Sequence, residues 1–311
     1  MRHLFHILSL SFCLSLNAQD ISFSDQKLAA PYFNPALLGN TYGLEISHLY
    51  RNQFPAETVG YQTHFFQTNY GFEKHKMWIG LTACIDNFKT YMSNQNFALT
   101  FSKFSEINTN ISLRFGAKVG WTTGWTNLTY GNLTDPRRGF LYDESNSTRI
   151  PFQDGDQGFD AAAGISSNIY RFTIGYAARH LQQPILDYTT EKNRRILLNH
   201  SIILGYDFDI ATKNQVLHIQ PFFIEQIQKN SDSFQAGIAL SWNGITLQGS
   251  INESYFSIGG GYSFKDKYVL RYHYSNFDMS GHYSPTHEIG VVARPLKKNN
   301  SPADFEKRGA F

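Results

Sequence analysis

The chain has 311 residues and carries 27 Lys and Arg against 25 Asp and Glu, a formal charge of +2. A balance this close to neutral provides no general attraction to nucleic acid. Charged residues make up only 17% of the chain and aromatic residues 15%, a composition that disfavours helical bundles, coiled coils and disordered chains.

The N-terminus has the three-part order of a secretory signal peptide. A basic Met1-Arg2-His3 start precedes an apolar run from Leu4 to Leu16, and Ala18 stands at a suitable cleavage position before Gln19. The apolar run is shorter than the roughly 20 residues that a membrane helix needs. Because the run also continues past Cys13, a lipoprotein anchor is disfavoured. We therefore expect residues 1–18 to be removed on export.

Residues 19–42 show no strand periodicity. Pro31, Pro35 and Gly39 interrupt both helix and strand geometry. We therefore predict an irregular segment over this range, and its position follows from the strands that come after it.

From residue 43 to residue 294 the dominant pattern is a period of two. Along residues 97–102, for example, large apolar side chains alternate with Ala, Thr and Ser. The same alternation recurs along 111–121, 172–178, 234–242 and 245–251, in segments of about ten residues, the length of a tilted strand that crosses a bilayer. One face is apolar or aromatic and the other is small and polar, as expected for strands between lipid and a hydrated lumen.

The alternating segments predict fourteen strands, an even number, as in bacterial outer-membrane barrels. The strands lie near 43–50, 58–70, 77–86, 93–104, 108–122, 156–168, 170–182, 194–209, 214–228, 231–243, 244–252, 254–264, 267–277 and 284–294. Tight turns such as Asn243-Gly244 join some of them. The connections over 123–155 and 183–193 are long, and long barrel loops usually face outside and carry function.

The predicted fold is an all-β, transmembrane antiparallel barrel in the bacterial outer membrane. Lipid cannot satisfy an irregular backbone, so residues 19–42 should form a plug-like segment at or in the periplasmic mouth. Residues 295–311 would be a short basic periplasmic tail. A soluble β-sandwich is the alternative architecture.

Five basic residues fall on the predicted polar faces of the strands. They could form a site for an anionic group, but charges in a lumen must be paired or hydrated. We therefore expect partners for them in Glu225, Glu253, Glu288 and the N-terminal segment. The five residues are Arg114, Lys118, Arg171, Arg179 and Arg271.

No residue pattern indicates catalysis or a cofactor. His287-Glu288 resembles half of a zinc-protease motif, but the second His would fall at Val291. Asp154-Gly155-Asp156 with Asp160 could bind Ca²⁺, although an acidic turn before a strand explains it better. After removal of the signal, Cys84 is a single thiol and cannot form an internal disulfide. We expect no catalytic residue, no metal, no cofactor and no enzymatic activity.

Several motifs are not explained by barrel patterning. The most specific are Asn34-Pro35-Ala36-Leu37-Leu38-Gly39 and Tyr50-Arg51-Asn52-Gln53-Phe54-Pro55. Supporting matches are Gln19-Asp20, Arg138-Gly139-Phe140-Leu141-Tyr142, His180-Leu181 and His287-Glu288-Ile289. In this order, along nearly the whole mature chain, they resemble the PorP/SprF family of the Bacteroidota type IX secretion system.

The resemblance implies a non-enzymatic outer-membrane barrel that supports the secretion or surface attachment of type IX cargo. In gliding species this cargo includes large adhesins. The implied partners are outer-membrane lipid, the secreted cargo and other components of the secretion system. The alternative from another class is a FadL-like channel for a hydrophobic small molecule, which would need a continuous apolar pocket in the lumen.

Two sets of candidate residues follow. The long connection over 123–155 contains Arg137, Arg138, Phe140 and Tyr142, and aromatic and Arg side chains dominate binding hot spots. This loop is our predicted partner contact, although Arg138-Gly139-Phe140 could instead only fold the loop over the barrel mouth. The motif residues are expected to be structural: Asn34, Pro35, Gly39, Tyr50, Arg51, Asn52, Gln53, Pro55, His287 and Glu288. Arg51, close to Gln53, could clamp the N-terminal segment by hydrogen bonds.

Overall fold

Antiparallel strands follow one another around a ring, and the last strand pairs with the first. The computed structural model describes residues 20–39, 41–55, 60–88, 92–126, 157–185, 195–211, 216–229, 232–253, 255–279 and 282–296. There are fifteen strand segments, but β8 and β9 both pair with β10 on either side of Asp207 and form one strand of the wall. The fold is a closed barrel of fourteen strands, as predicted.

The strand segments occupy most of the chain between residues 43 and 293. They are β1 (Gly43–Gln53), β2 (Tyr61–Phe72), β3 (Met77–Phe88), β4 (Met92–Asn108), β5 (Ile111–Thr126), β6 (Gln157–Ile169), β7 (Phe172–Arg179), β8 (Asn199–Tyr206), β9 (Phe208–Ala211), β10 (Val216–Gln228), β11 (Ser233–Trp242), β12 (Ile245–Asn252), β13 (Tyr255–Phe264), β14 (Tyr268–Met279) and β15 (His282–Ala293).

Helical structure is short. Among the described residues, one α-helix, α1, covers Gln26–Phe33, and two 3₁₀ turns cover Pro35–Leu37 and Glu73–His75. In the part of the chain that the structure describes, no helix is both long and apolar enough to cross a membrane.

The two faces of the wall match the predicted alternation. On β4, Leu99 is 47% exposed on the outside of the barrel, whereas Thr100 beside it is fully buried on the inside. The apolar outer face is stable in lipid, and the small polar inner face leaves room for a filled lumen. The alternation confirms the assignment of outward and inward side chains along this strand.

The ends of the strands show which mouth faces the periplasm. β1 begins and β15 ends at the same mouth, where short turns such as Asn243-Gly244 also lie. The long connections after β5 and β7 leave from the opposite mouth. Since short turns of bacterial barrels face the periplasm and longer loops face outside, the mouth beside Gly43 is periplasmic and the mouth beside Arg179 is extracellular.

The seam between β15 and β1 is secured at its periplasmic end. Arg294 Nε donates to Glu45 Oε2 at 2.7 Å, and the Arg294 backbone N–H donates to the Lys267 carbonyl at 2.8 Å. The predicted tail begins directly after this contact, and its residues 297–311 lie outside the described residues.

Placing a charge on the outer face should destabilise the barrel. We expect Leu99→Arg to lower the free energy of unfolding in lipid vesicles by about 2–4 kcal/mol, because Leu99 lies near the middle of a lipid-facing strand. Leu99→Ile, which keeps the apolar surface, is the matched control. Urea titration of vesicle-inserted protein measures both variants, and equal stabilities would contradict the outward placement of this side chain.

Candidate functional site

The N-terminal segment lies inside the barrel. Residues 20–39, which we call the plug, continue from Tyr42 at the periplasmic mouth towards the extracellular end of β7. Within the lumen, Phe23 and Phe33 pack with Phe65 of the wall in an apolar cluster. The plug therefore occupies the lumen, and it determines what the barrel can do.

The plug contains an α-helix and a 3₁₀ turn, although its prolines predicted an irregular segment. The Asp25 side chain caps α1 by accepting a hydrogen bond from the Leu28 N–H at 3.2 Å. Pro31 removes one hydrogen bond inside this short helix. Since most residues of α1 are buried against the wall or the rest of the plug, packing stabilises a helix that the isolated sequence would not form.

Glu288 of β15 is the central clamp on the plug. Its carboxylate accepts hydrogen bonds from the Ser24 N–H at 2.8 and 3.0 Å and from the Asp25 N–H at 3.0 Å. The side chain is 1% exposed. A buried carboxylate is stable only when it is paired and hydrogen-bonded, so the clamp and the plug depend on each other.

Asp25 provides a second ionic contact beside this clamp. Its Oδ2 lies 2.5 Å from Arg271 Nε and 3.6 Å from His273 Nε2. Burial alone would raise the pKa of Asp25, but Arg271 and His273 outweigh it and hold this pKa below its usual value. The plug therefore carries a fixed negative charge at this point, and Arg271 of the wall neutralises it.

Arg51 acts on the plug through Glu288. Its Nη1 donates to Gln53 Oε1 at 2.6 Å, and its Nε lies 3.4 Å from Glu288 Oε1. We predicted that Arg51 clamps the segment directly. The contacts that the structure gives it are instead with two wall residues, because Arg51 and Glu288 face each other on paired strands.

Asn34 anchors the C-terminal half of the plug to the wall. Its Nδ2 donates to the Ile165 carbonyl at 3.1 Å, and its Oδ1 accepts from the Ala36 N–H at 2.9 Å. The second bond caps the 3₁₀ turn that begins at Pro35. The Asn-Pro motif thus makes a turn that is tied to β6.

Glycines in the wall make room for this turn. A Cβ built on Gly116 would overlap the backbone of Pro35 and Ala36, and one on Gly164 would overlap the Asn34 side chain. The plug backbone therefore lies directly on the inner surface of β5 and β6, and only a residue without a side chain fits below it.

The periplasmic end of the plug is held by Arg114. Its Nη2 donates to the carbonyls of Leu38 at 3.0 Å and Gly39 at 2.5 Å. The guanidinium also lies 4.9 Å from the ring centre of Trp78, which stacks on Tyr42. Gly39 has φ of +70° at this bend, so the plug leaves the lumen through a tightly packed exit.

The extracellular end of the plug is held by ion pairs. Asp20 lies 2.9 Å from Arg179 Nη2 and 3.4 Å from His180 Nε2. His180 Nδ1 lies 3.0 Å from Asp160 Oδ2. Burial opposes a charge on His180, but Asp20 and Asp160 outweigh it and raise the pKa of His180 to about 9. At neutral pH the cluster is therefore ionised and paired.

Raising the pH should loosen this end of the plug. The pKa of His180 is higher in the folded protein, so its stabilising effect is complete below about pH 6.5 and is lost as the pH rises through about 9. We expect faster amide hydrogen exchange at residues 20–24 above pH 9, after correction for the intrinsic rate. His180→Gln should abolish this extra pH dependence. An unchanged profile in this variant would contradict the assignment.

The remaining motif residues lie around the β15–β1–β2 seam. Tyr50 and His287 point outward, where Tyr50 contacts His64 and His287 Nδ1 lies 2.8 Å from the Tyr272 hydroxyl. Asn52 pairs with His287 in the register of β1 and β15. Pro55 follows β1 in an exposed turn. These positions support the extracellular half of the seam and do not touch the plug.

Two sequence predictions need separate comment. Arg171 is not in the lumen: it is exposed at a periplasmic turn, 3.6 Å from Asp209 Oδ2, because β7 begins one residue later. The predicted partner contacts Arg137, Arg138, Phe140 and Tyr142 lie outside the described residues. Within the described ranges no group of three or more His, Cys, Asp or Glu could hold a metal ion.

Sequence reasoning missed Ser24 and Asp25, which together make the strongest contacts of the plug. A capping signal was present, because Asp25 precedes the short apolar run of α1. Their partners Arg271 and Glu288 lie near the other end of the chain, and no local pattern links the two regions.

A closed barrel with an apolar outer face and a lumen filled by its own N-terminal segment defines a plugged outer-membrane protein. Residues 15–292 match the family model described as type IX secretion system membrane protein PorP/SprF. The match covers most of the chain, and the protein belongs to this family. It is a membrane component of type IX secretion.

One solved structure shares the fold, and others are similar to the chain to a lower degree. The CymD monoaromatic hydrocarbon channel aligns with a TM-score of 0.53 at 10% identity, over 89% of this chain and 94% of that one. Omp33 of Acinetobacter baumannii gives 0.46 at 8% identity, over 82% and 99%. A FadL homologue of Pseudomonas aeruginosa gives 0.42 at 11% identity, over 87% and 93%. A comparison with curated proteins gave no match.

Proposed function

We propose that the protein is a non-enzymatic outer-membrane component that supports the secretion or surface attachment of a type IX partner protein, such as a large adhesin. The main support for this proposal is the buried Glu288 carboxylate, which accepts hydrogen bonds from the Ser24 and Asp25 N–H groups. Ion pairs hold the plug at Arg179 and Arg271, and hydrogen bonds hold it at Glu288. A lumen whose plug is held by contacts at several points is poorly suited to passing a protein or a solute.

The working surface is then the extracellular end of the barrel. The strand residues contact lipid on one side and the plug on the other. We therefore place the contact with the partner in the long connection over 127–156. Arg137, Arg138, Phe140 and Tyr142 lie within it and have the chemistry of binding hot spots. We propose that they contact the partner.

The loop is tested by a double substitution. Arg138→Ala with Phe140→Ala should leave barrel abundance normal and remove the partner protein from the cell surface. The matched control is Tyr170→Ala with Arg171→Ala, which likewise removes one aromatic and one Arg side chain, here from an exposed turn at the periplasmic end. Surface labelling and mass spectrometry measure the partner, and a wild-type level in the loop variant would overturn the proposal.

A channel for a hydrophobic small molecule is the second candidate. Its support is the likeness to CymD, which at 10% identity concerns the fold. The inner wall beside the plug is largely polar, with Gln67, Thr100, Arg114, Gln248 and Arg271 all buried, and this composition does not favour an apolar path. Hydrocarbon uptake that depends on the barrel and is unaffected by the loop variant would favour the channel.

A further inference from the structure

A polar cavity of about 100 Å³ lies above the plug in the extracellular half of the lumen. Its charged wall consists of Asp20, Asp86, Lys118, Asp160, Arg179 and His180, and its apolar wall includes Cys84 and Ile196. The cavity is at the mouth from which the long connections leave. It is part of neither the Glu288 clamp nor the predicted loop contact.

Lys118 is the unusual member of this wall. Its side chain is 9% exposed, and within the described ranges its ammonium group donates no hydrogen bond and forms no close ion pair. The contact that the structure records is with the face of Tyr32, 5.9 Å from the ring centre, while Asp160 acts on it from a longer distance. A buried ammonium group aimed into a cavity is costly unless a ligand or water compensates its charge.

The charges nearest Lys118 are already matched with one another, and Asp86 accepts a hydrogen bond from Thr63 Oγ1 at 2.6 Å. Arg179 is bonded to Asp20 and Gln226, and His180 is bonded to Asp160. The other oxygen of Asp160, Oδ1, is buried and has no hydrogen-bond partner. Since this buried oxygen has no surface towards the cavity, the cavity offers one cation that lacks a bonded anion.

We propose that this cavity receives a carboxylate group of a peptide, which pairs with Lys118. The carboxylate can belong to a free chain end or to an acidic side chain. Identifying the peptide as part of the secreted partner rests on the proposed function; the chemistry of the cavity does not.

Cys84 allows a direct test, because it lines the cavity and is the single cysteine of the described residues. The purified barrel is treated with an anionic or a cationic methanethiosulfonate, and modification of the Cys84 peptide is followed by mass spectrometry. The anionic reagent should react faster by on the order of tenfold, since one uncompensated ammonium attracts it. Lys118→Met should remove this preference, and Lys118→Arg should keep it.

Peptides then compete with the reagent. A short alanine peptide with a free C-terminal carboxylate should protect Cys84 in the wild type and in Lys118→Arg, and fail to protect it in Lys118→Met. The C-amidated peptide should not protect. An amidated peptide that contains one Glu identifies the source: its protection indicates an acidic side chain, and its failure indicates a chain terminus.

Controls keep the result interpretable. Lys103→Met removes a lysine from β4 that bonds to the His75 carbonyl, and it should change nothing. The electrophoretic mobility of each variant is compared before and after heating, and a shift on heating confirms that the barrel was folded. The proposal is overturned if no peptide protects, if protection is the same in Lys118→Met, or if Cys84 reacts with neither reagent. This assay needs no cargo and no cells, so its failure would leave the loop experiment unaffected.

Discussion

Replacing Glu288 by alanine should release the plug and convert a closed barrel into an ion-conducting one. The substitution leaves the Ser24 and Asp25 N–H groups without an acceptor and Arg51 without its buried partner. Breaking a buried ion pair from one side costs about 3–5 kcal/mol, and buried donors left without acceptors add to this. Planar-bilayer recordings should show low conductance for the wild type and larger, fluctuating currents for the variant.

A matched substitution distinguishes this effect from general loss of charge. Glu106 pairs with Lys76 at 2.6 Å, but both side chains are exposed at the periplasmic end, where such pairs contribute about 0–1 kcal/mol. Glu106→Ala should therefore conduct like the wild type. Limited proteolysis should cut residues 20–39 in Glu288→Ala and spare them in Glu106→Ala. A silent Glu288→Ala barrel with a protected N-terminus would show that other contacts suffice to hold the plug.

Adding a side chain at Gly116 should have the second large effect. Valine there would overlap the backbone of Pro35 and Ala36, so the turn must move away from β5 and give up the bond from Ser102 Oγ to the Ala36 carbonyl, now 2.8 Å long. Overpacking of this kind costs about 1–3 kcal/mol. We expect the barrel to form while the plug shifts, which hydrogen exchange at residues 34–38 would measure.

The comparison for this variant is Gly249→Val. A Cβ at Gly249 meets no atom within 4 Å, and Gly249 lies between Ile238 and Ile258 in the register of β11 to β13. Valine at this open position should leave exchange at residues 34–38 unchanged. If both valines raise exchange at residues 34–38 equally, the cause would be a general change in the wall and not the overlap with the plug.

The strands of the barrel wall could be predicted because they follow a local pattern, the alternation of apolar and polar residues. A strand in lipid has an apolar face and a polar face, so neighbours such as Leu99 and Thr100 reveal their orientation directly. The charges of the lumen could also be anticipated in kind: Arg179 and Arg271 pair with Asp20 and Asp25 of the N-terminal segment, as the need to neutralise buried charge requires.

What escaped prediction depends on distant contacts. Helix α1 contains Pro31 and is too short to be stable alone, so it exists because the lumen walls surround it. Arg171 alternates with Phe172 like a lumenal residue, yet it is exposed beside Asp209 because the strand begins after it. The contacts of Asp25 and Glu288 can be predicted only when the pairing of the strands is known. No short motif indicates which distant strands pair.

The contact between Ser24 and Glu288 joins residues 264 positions apart in the chain. Glu288 belongs to the strand that closes the ring against β1, so its carboxylate takes this position only when β15 has joined the wall. The contact joins the N-terminal segment to the strand nearest the C-terminus, and long-range contacts of this kind form slowly. Sealing of the lumen is therefore coupled to closure of the wall: a barrel that lacks β15 also lacks the Glu288 clamp on its plug.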